Sequence, residues 1–323
     1  MAPLLTVVGS TGTQGRSVIE AALKEGKYSI RGLTRNPNSP NAKALAARGV
    51  EMVSADLNDA QSLIKAFEGS TAIYAVTDFF EPFSADVQHP EKAIAIEVAQ
   101  GINLANAALK TSTLEHYIWS TLPNGKKISN GKWDIPHFTG KNQIDDYIRS
   151  KPELWKKTTY FWITYYGSNF QYPMFTPNFV KTSGQYVQLS TAAPDTPVSG
   201  IGDVTVNVGI FTSAILRQPE LTLPGRFVKA AVEESTTGQI LKDWSEVTGK
   251  PAVYVQTSLE AFNSVWPGWG QEMGVMMAAW DELRERSWSG EDGILTKEDL
   301  GIAGEKFVGS KEVYATMDWK ALL

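Results

Sequence analysis

Short apolar runs alternate with one-sided helical stripes through the first half of the chain. Leu4–Val8 is an apolar run of the length expected for a buried parallel strand. Val18, Ile19, Ala22 and Leu23 then recur on one face of a helix. The same reading predicts strands at 28–34, 50–56, 71–77, 115–121 and 159–166. Between them it predicts helices at 41–48, 59–67, 90–110 and 138–149. Gly49 and Gly69 follow two of these helices as stop signals, and Asp59 stands at the start of one. Repeated βα units with apolar strands predict an α/β fold: a doubly wound parallel sheet with right-handed crossovers.

From about Gly167 the rhythm breaks into aromatic-rich loops, prolines and glycine turns, with one clear late helix at 271–286. The expected organisation is a dinucleotide-binding domain over 1–165. A smaller, irregular α+β domain over 166–323 then faces the substrate, with some segments returning to the sheet. No internal repeat or low-complexity segment appears.

The junction of the first strand and helix reads Val-Val-Gly-Ser-Thr-Gly-Thr-Gln-Gly over 7–15. Gly9, Gly12 and Gly15 suit a tight turn and a close approach by an anion to the helix N-terminus. Thr11, Thr13 and Gln14 complete this candidate cofactor loop. The spacing G-x-x-G-x-x-G departs from the G-x-G-x-x-G fingerprint, so an ordinary glycine-rich turn remains open on these residues alone.

Composition narrows the classes. The 323 residues carry a formal charge of −5 and no Lys/Arg cluster, which argues against direct nucleic-acid binding. The absence of cysteine excludes disulfides, thiolate metal sites and cysteine nucleophiles. His89, His116 and His137 lack metal-site spacing, so no metal is expected. No run approaches the roughly 18 residues of a membrane span, and Met1-Ala2-Pro3 leads directly into the first strand. A cytoplasmic protein without membrane contact is expected. No nucleophile elbow or Walker-type loop is present.

Ligands in such sheets bind beyond the carboxyl ends of the strands. After the second strand stands Arg35, with no acid from Ser29 to Pro40, which favours a 2′-phosphate and hence NADP(H). After the third stand Asp56 and Leu57. Asp56 either accepts from adenine or caps the next helix. After the fourth, Thr77 precedes Phe79 and Phe80, which either cover a flat ring or pack internally. After the fifth come Ser120 and Thr121. Downstream, His137 and Lys141 stand four residues apart and so share a helix face. Lys141 there suits the nicotinamide ribose, and His137 the substrate. After the sixth, Tyr165, Tyr166, Ser168, Asn169 and Phe170 are candidates for the nicotinamide and substrate end. Trp266 and Trp269, with Met273, Met276 and Met277, form either an apolar lid or core packing.

Taken together, these stretches resemble the NmrA-like branch of the atypical short-chain dehydrogenase/reductases. The resemblance rests on residues 7–15, Leu-Thr-Arg-Asn-Pro (33–37), Ala-Asp-Leu (55–57) and Ala-Val-Thr-Asp-Phe-Phe (75–80). It extends through Trp-Ser-Thr-Leu-Pro (119–123), His-Phe-Thr-Gly-Lys (137–141), Tyr-Tyr-Gly-Ser-Asn-Phe (165–170) and the Gly202-Asp203-Val204 turn. It implies a Rossmann-type fold and a preference for NADP(H). Some members reduce quinones, aromatic rings or isoflavone-like substrates. Others are redox sensors that regulate a protein partner without turnover. The superfamily's Tyr-x-x-x-Lys pair stands here as His137-x-x-x-Lys141, and its Asn after the fourth strand as Asp78. The expected function is NADPH-dependent reduction of a small flat carbonyl, quinone or conjugated substrate, with Lys141, His137 and Ser120 as catalytic candidates. The alternative is an NADP(H)-sensing regulator of a protein partner. The oligomeric state is not indicated.

Overall fold

The structure is a computed structural model that describes residues 2–322. The first half supplies β1 (Leu4–Val7), β2 (Ser29–Thr34), β3 (Glu51–Ser54), β4 (Ala72–Ala75), β5 (His116–Thr121) and β6 (Thr158–Ile163). The later strands are β7 (Tyr165–Tyr166), β8 (Asn178–Val180), β9 (Gln185–Ser190), β10 (Pro197–Gly202), β11 (Arg226–Ala230), β12 (Glu233–Thr236) and β13 (Ala252–Gln256). One seven-stranded sheet runs in the order β11-β6-β5-β4-β1-β2-β3, with every neighbouring pair parallel. The chain winds outward in both directions from β1, so the order reverses between β1 and β4. A crevice at that switch point is where such sheets bind ligands.

Helices cover both faces because the sheet is apolar on both. Leu5, Val7, Ile30, Ile118 and Phe161 face one side. There they pack against α1 (Thr13–Glu25) and, from the second half, Val208 and Phe211 of the helix Val204–Arg217. Leu33, Ile73, Tyr117 and Trp119 face the other side. Helix α2 (Pro40–Ala46) lies on the first side with α1, where its Leu45 is buried, and the second side carries α3 (Ala60–Phe67), α4 (Phe80–Ala85) and α5 (Pro90–Leu109). Next come the single turn α6 (Gly125–Ile128) and α7 (Pro136–Arg149). Helix α3 is capped by Asp59, whose side chain accepts from the Gln61 and Ser62 amides.

Two sequence expectations change form. The single strand expected at 159–166 divides. Thr158–Ile163 stays in the large sheet, while Tyr165–Tyr166 pairs with β10 in a separate three-stranded sheet, β12-β10-β7. The break falls at buried Thr164, whose hydroxyl donates to Ala230 O at 2.6 Å. The helix expected at 271–286 opens as a π-helix over Gly270–Gly274, becomes α-helical over Val275–Leu283 and tightens to 3-10 over Arg284–Trp288. A third sheet, β13-β9-β8, and β11 beside β6 complete the fold. Among the described residues, no helix is long and apolar enough to cross a membrane.

Candidate functional site

The glycine turn sits at the switch point between β1 and β4. Gly9 has φ +63°, and the Gly12 amide donates to Gly9 O at 2.9 Å. A Cβ on Gly15 would lie 2.2 Å from Gly9 O, so the turn closes only over glycine there. Gly12 caps α1 without any side-chain acceptor, which leaves first-turn amides free to meet an anion. These backbone features fit a pyrophosphate.

Gln14, in the same loop, ties three strand ends together. Its Oε1 accepts from Tyr74 OH at 2.6 Å and from Ser120 Oγ at 2.9 Å. Its Nε2 donates to Tyr166 OH at 2.6 Å. Burial pushes the Tyr166 phenol up to about 12, against the hydrogen bond from Gln14, so it keeps its proton at neutral pH.

Helix α7 begins at a proline and carries His137, Lys141 and Asp145 one turn apart on one face. Lys141 Nζ donates to Thr77 Oγ1 and Glu97 Oε1, both at 3.0 Å, and to Thr77 O at 3.3 Å. Thr77 Oγ1 also donates to Glu97 Oε1 at 2.8 Å. Glu97 comes from α5 and is fully buried. Gly140 makes room for it, since a Cβ there would lie 2.5 Å from Glu97 Oε2. One turn earlier, His137 Nδ1 pairs with buried Glu272 Oε1. One turn later, Asp145 accepts from Trp119 Nε1 at 2.8 Å and Thr121 Oγ1 at 2.9 Å. Burial pushes the Asp145 carboxyl up to about 7, against those two hydrogen bonds.

An aromatic wall stands beside His137. Phe80 lies 5.3 Å from its ring centroid, Phe79 6.1 Å and Phe138 4.6 Å. Trp269 stacks on Phe80 at 6.1 Å. Trp266 instead packs on Phe262, and Met273, Met276 and Met277 lie in the core. Tyr165 packs against Phe175 and Trp280, and Phe170 against Tyr314, so neither joins the His137 wall. Ser168 and Asn169 are half-buried in the turn after Tyr166.

Just beyond β2, exposed Arg35 pairs with Glu81 of α4 at 2.5 Å. Asp56 is exposed and accepts from the Asn58 amide at 2.9 Å, while Asp59 takes the capping role. Leu57 is half-buried against the core. The Thr121 hydroxyl turns inward to Asp145.

The family model described as NmrA-like family matches residues 1–295. The chain belongs to this family. An NmrA-like family domain-containing protein of Dictyostelium discoideum is 29% identical over 259 residues, covering 79% of this chain and 80% of that protein. The NmrA-like family domain-containing oxidoreductase hkm9 of Aspergillus hancockii is 31% identical over 176 residues. That match spans 54% of this chain and 50% of the relative. The solved structure of NmrA, a negative transcriptional regulator in complex with NADP, superposes with a TM-score of 0.75. Its identity is 18%, over 100% of this chain and 97% of that one, and it shares the fold.

Within this NmrA-like fold, sequence reasoning overlooked Glu97, Glu272, Asp145, Tyr74 and Glu81. A signal existed for the first three. Glu97 lies on the apolar stripe Ala93, Gly101, Leu104, and Glu272 on the stripe Met276, Ala279, Leu283. Asp145 sits among Ile144 and Ile148. A charge on an apolar helix stripe marks a buried, partnered group.

Proposed function

We propose that this protein is an NADPH-dependent reductase of a small flat carbonyl, quinone or conjugated substrate. The observation that carries the reading is the face of α7. There His137 and Lys141 are each held by a buried carboxylate, and His137 stands beside the wall of Phe79, Phe80 and Trp269. Oxidoreductase relatives such as hkm9 support the activity, and the NADP complex of NmrA supports the cofactor alone.

Gly9 to Gly15 would hold the pyrophosphate, and Arg35 the 2′-phosphate once it leaves Glu81. Lys141 would hold the nicotinamide ribose, exchanging a bond to Thr77 for it. When bound, the cofactor supplies a hydride to the substrate carbon. The aromatic wall orients a flat substrate and excludes water. His137 or the protonated Tyr166 hydroxyl delivers the proton to the substrate oxygen, and Ser120 and Gln14 fix the Tyr166 side of the site.

The test is NADPH oxidation by purified protein across quinones, enones and aromatic ketones, with Lys141→Ala as the control. Turnover that is lost in folded Lys141→Ala is expected. NADPH binding without turnover on any acceptor overturns the reading. A second reading, a non-catalytic NADP(H) sensor of a protein partner, then takes its place. It is favoured by Lys141 already bonding Thr77 and Glu97, and by His137 standing where the superfamily has Tyr.

A further inference from the structure

Glu272 is a carboxylate that the proposed chemistry does not yet use. It is 1% exposed, and it reaches α7 from a π-helical turn some 135 residues along the chain. π-Helical turns are rare and recur at functional sites, because the wider turn redirects side chains. The Oε1 atom of Glu272 meets two groups of one residue. These are the His137 main-chain amide at 3.2 Å and the His137 Nδ1. Its Oε2 has no protein partner. Two contacts to the same residue fix both the position and the rotation of the imidazole. A carboxylate accepts, so the ring carries its proton on Nδ1. Nε2, on the opposite edge of the ring, finds no hydrogen-bonding partner among the described residues. The imidazole ring as a whole neighbours Phe79, Phe80 and Phe138.

We propose that Glu272 is a positioning residue that sets His137 as the proton donor of the reductase, with Nδ1–H bound to Glu272 and Nε2–H presented to the substrate. The inference rests on the reductase reading. In the step, the Nε2–H bond breaks and its electron pair stays on the ring. The proton forms an O–H bond on the substrate oxygen as the carbon gains the cofactor's hydride. The carbonyl is reduced, NADPH is oxidised to NADP⁺, and solvent returns a proton to Nε2. Glu272 keeps its hydrogen bond to Nδ1 throughout and stabilises the charged ring before transfer. This is the division of labour between an imidazole and the carboxylate that orients it.

The test separates geometry from turnover. The chain has three histidines, so imidazole ¹⁵N and ¹H signals are assignable with a His137→Gln reference. In the wild type we expect His137 to show a protonated, downfield-shifted Nδ1–H. Glu272→Gln is expected to lose that signal and lower kcat on the order of 10²-fold, with the KM for NADPH within about twofold and folding retained. Glu272→Asp, the conservative variant, is expected to recover part of both. It also serves as the test if Glu272→Gln does not fold. A wild type without the downfield proton overturns the inference. So does an active wild type whose kcat is unchanged in Glu272→Gln, and this leaves the reductase reading intact. A downfield proton in a wild type inactive on every acceptor overturns both, and leaves the pair as a clasp between α7 and the π turn.

Discussion

Two basic side chains on one helix face are held in opposite ways. Lys141 is paired with Glu97, from α5 of the same βα series, and with Thr77 at a strand end of the same sheet. His137 is paired with Glu272, which belongs to the irregular half. The lysine's environment is therefore complete within the first 150 residues. The histidine's exists only when the second half is docked. On the proposed reading, anchoring of the cofactor draws on the first half alone, whereas delivery of the proton needs both halves.

Removing one member of each pair tests that comparison most strongly. Lys141→Met leaves Glu97 buried with a charge that only Thr77 can help satisfy. It is expected to cost about 3–5 kcal/mol in equilibrium unfolding, as for other buried pairs broken from one side. His137→Gln keeps a donor facing Glu272 and is expected to cost about 1 kcal/mol. Equal costs would mean that the two halves hold their charges alike.

The next effect is set by pH and belongs to the first half alone. The Asp145 carboxyl is raised to about 7 by burial, so its folded form binds a proton that the unfolded chain releases near 4. Its contribution is present below pH 4 and is lost as pH rises through 7, on the order of a few kcal/mol. Burial lowers His116 to about 4, so its contribution is present above 6.5 and is lost as pH falls toward 4. Between 4 and 6.5 the two slopes oppose. Unfolding free energies of His116→Gln should fall from pH 4 to 7, and those of Asp145→Asn should rise from 4 to 6.5. A wild type with a single steep slope over that window would contradict the opposition.

The smallest effect lies at Arg35, proposed above to meet the 2′-phosphate. Glu81 occupies Arg35 on the surface, where a single ion pair contributes little. Glu81→Gln is expected to tighten NADP(H) binding roughly two- to fivefold in calorimetry, with no change for NAD(H). Equal tightening for both would remove Arg35 from the 2′-phosphate reading.

The same division governs what was legible in the sequence. The parallel sheet and its helices could be read because each βα unit carries its own periodicity and stop signals. The glycine turn could be read because close packing at Gly15 admits no other residue. His137 and Lys141 were legible as a pair because a helix fixes the i, i+4 relation locally. Glu272 was not placed beside them. That contact depends on a π turn that no short-range pattern encodes, and on a docking between segments far apart in the chain. The stretch 159–166 reads as one strand because its apolar run is continuous. Only the hydroxyl of Thr164 marks where it changes sheet.

Gln14 has a consequence of its own. One amide from the glycine-rich loop ends on the hydroxyls of Tyr74, Ser120 and Tyr166, which belong to β4, β5 and β7. The loop and these three strand ends are thus a single hydrogen-bonded object. On the proposed reading, the address at which a dinucleotide is gripped and the place where its business end arrives share one ruler. A loop transplanted from a relative without this glutamine would bring its grip but lose the measure of where to deliver it.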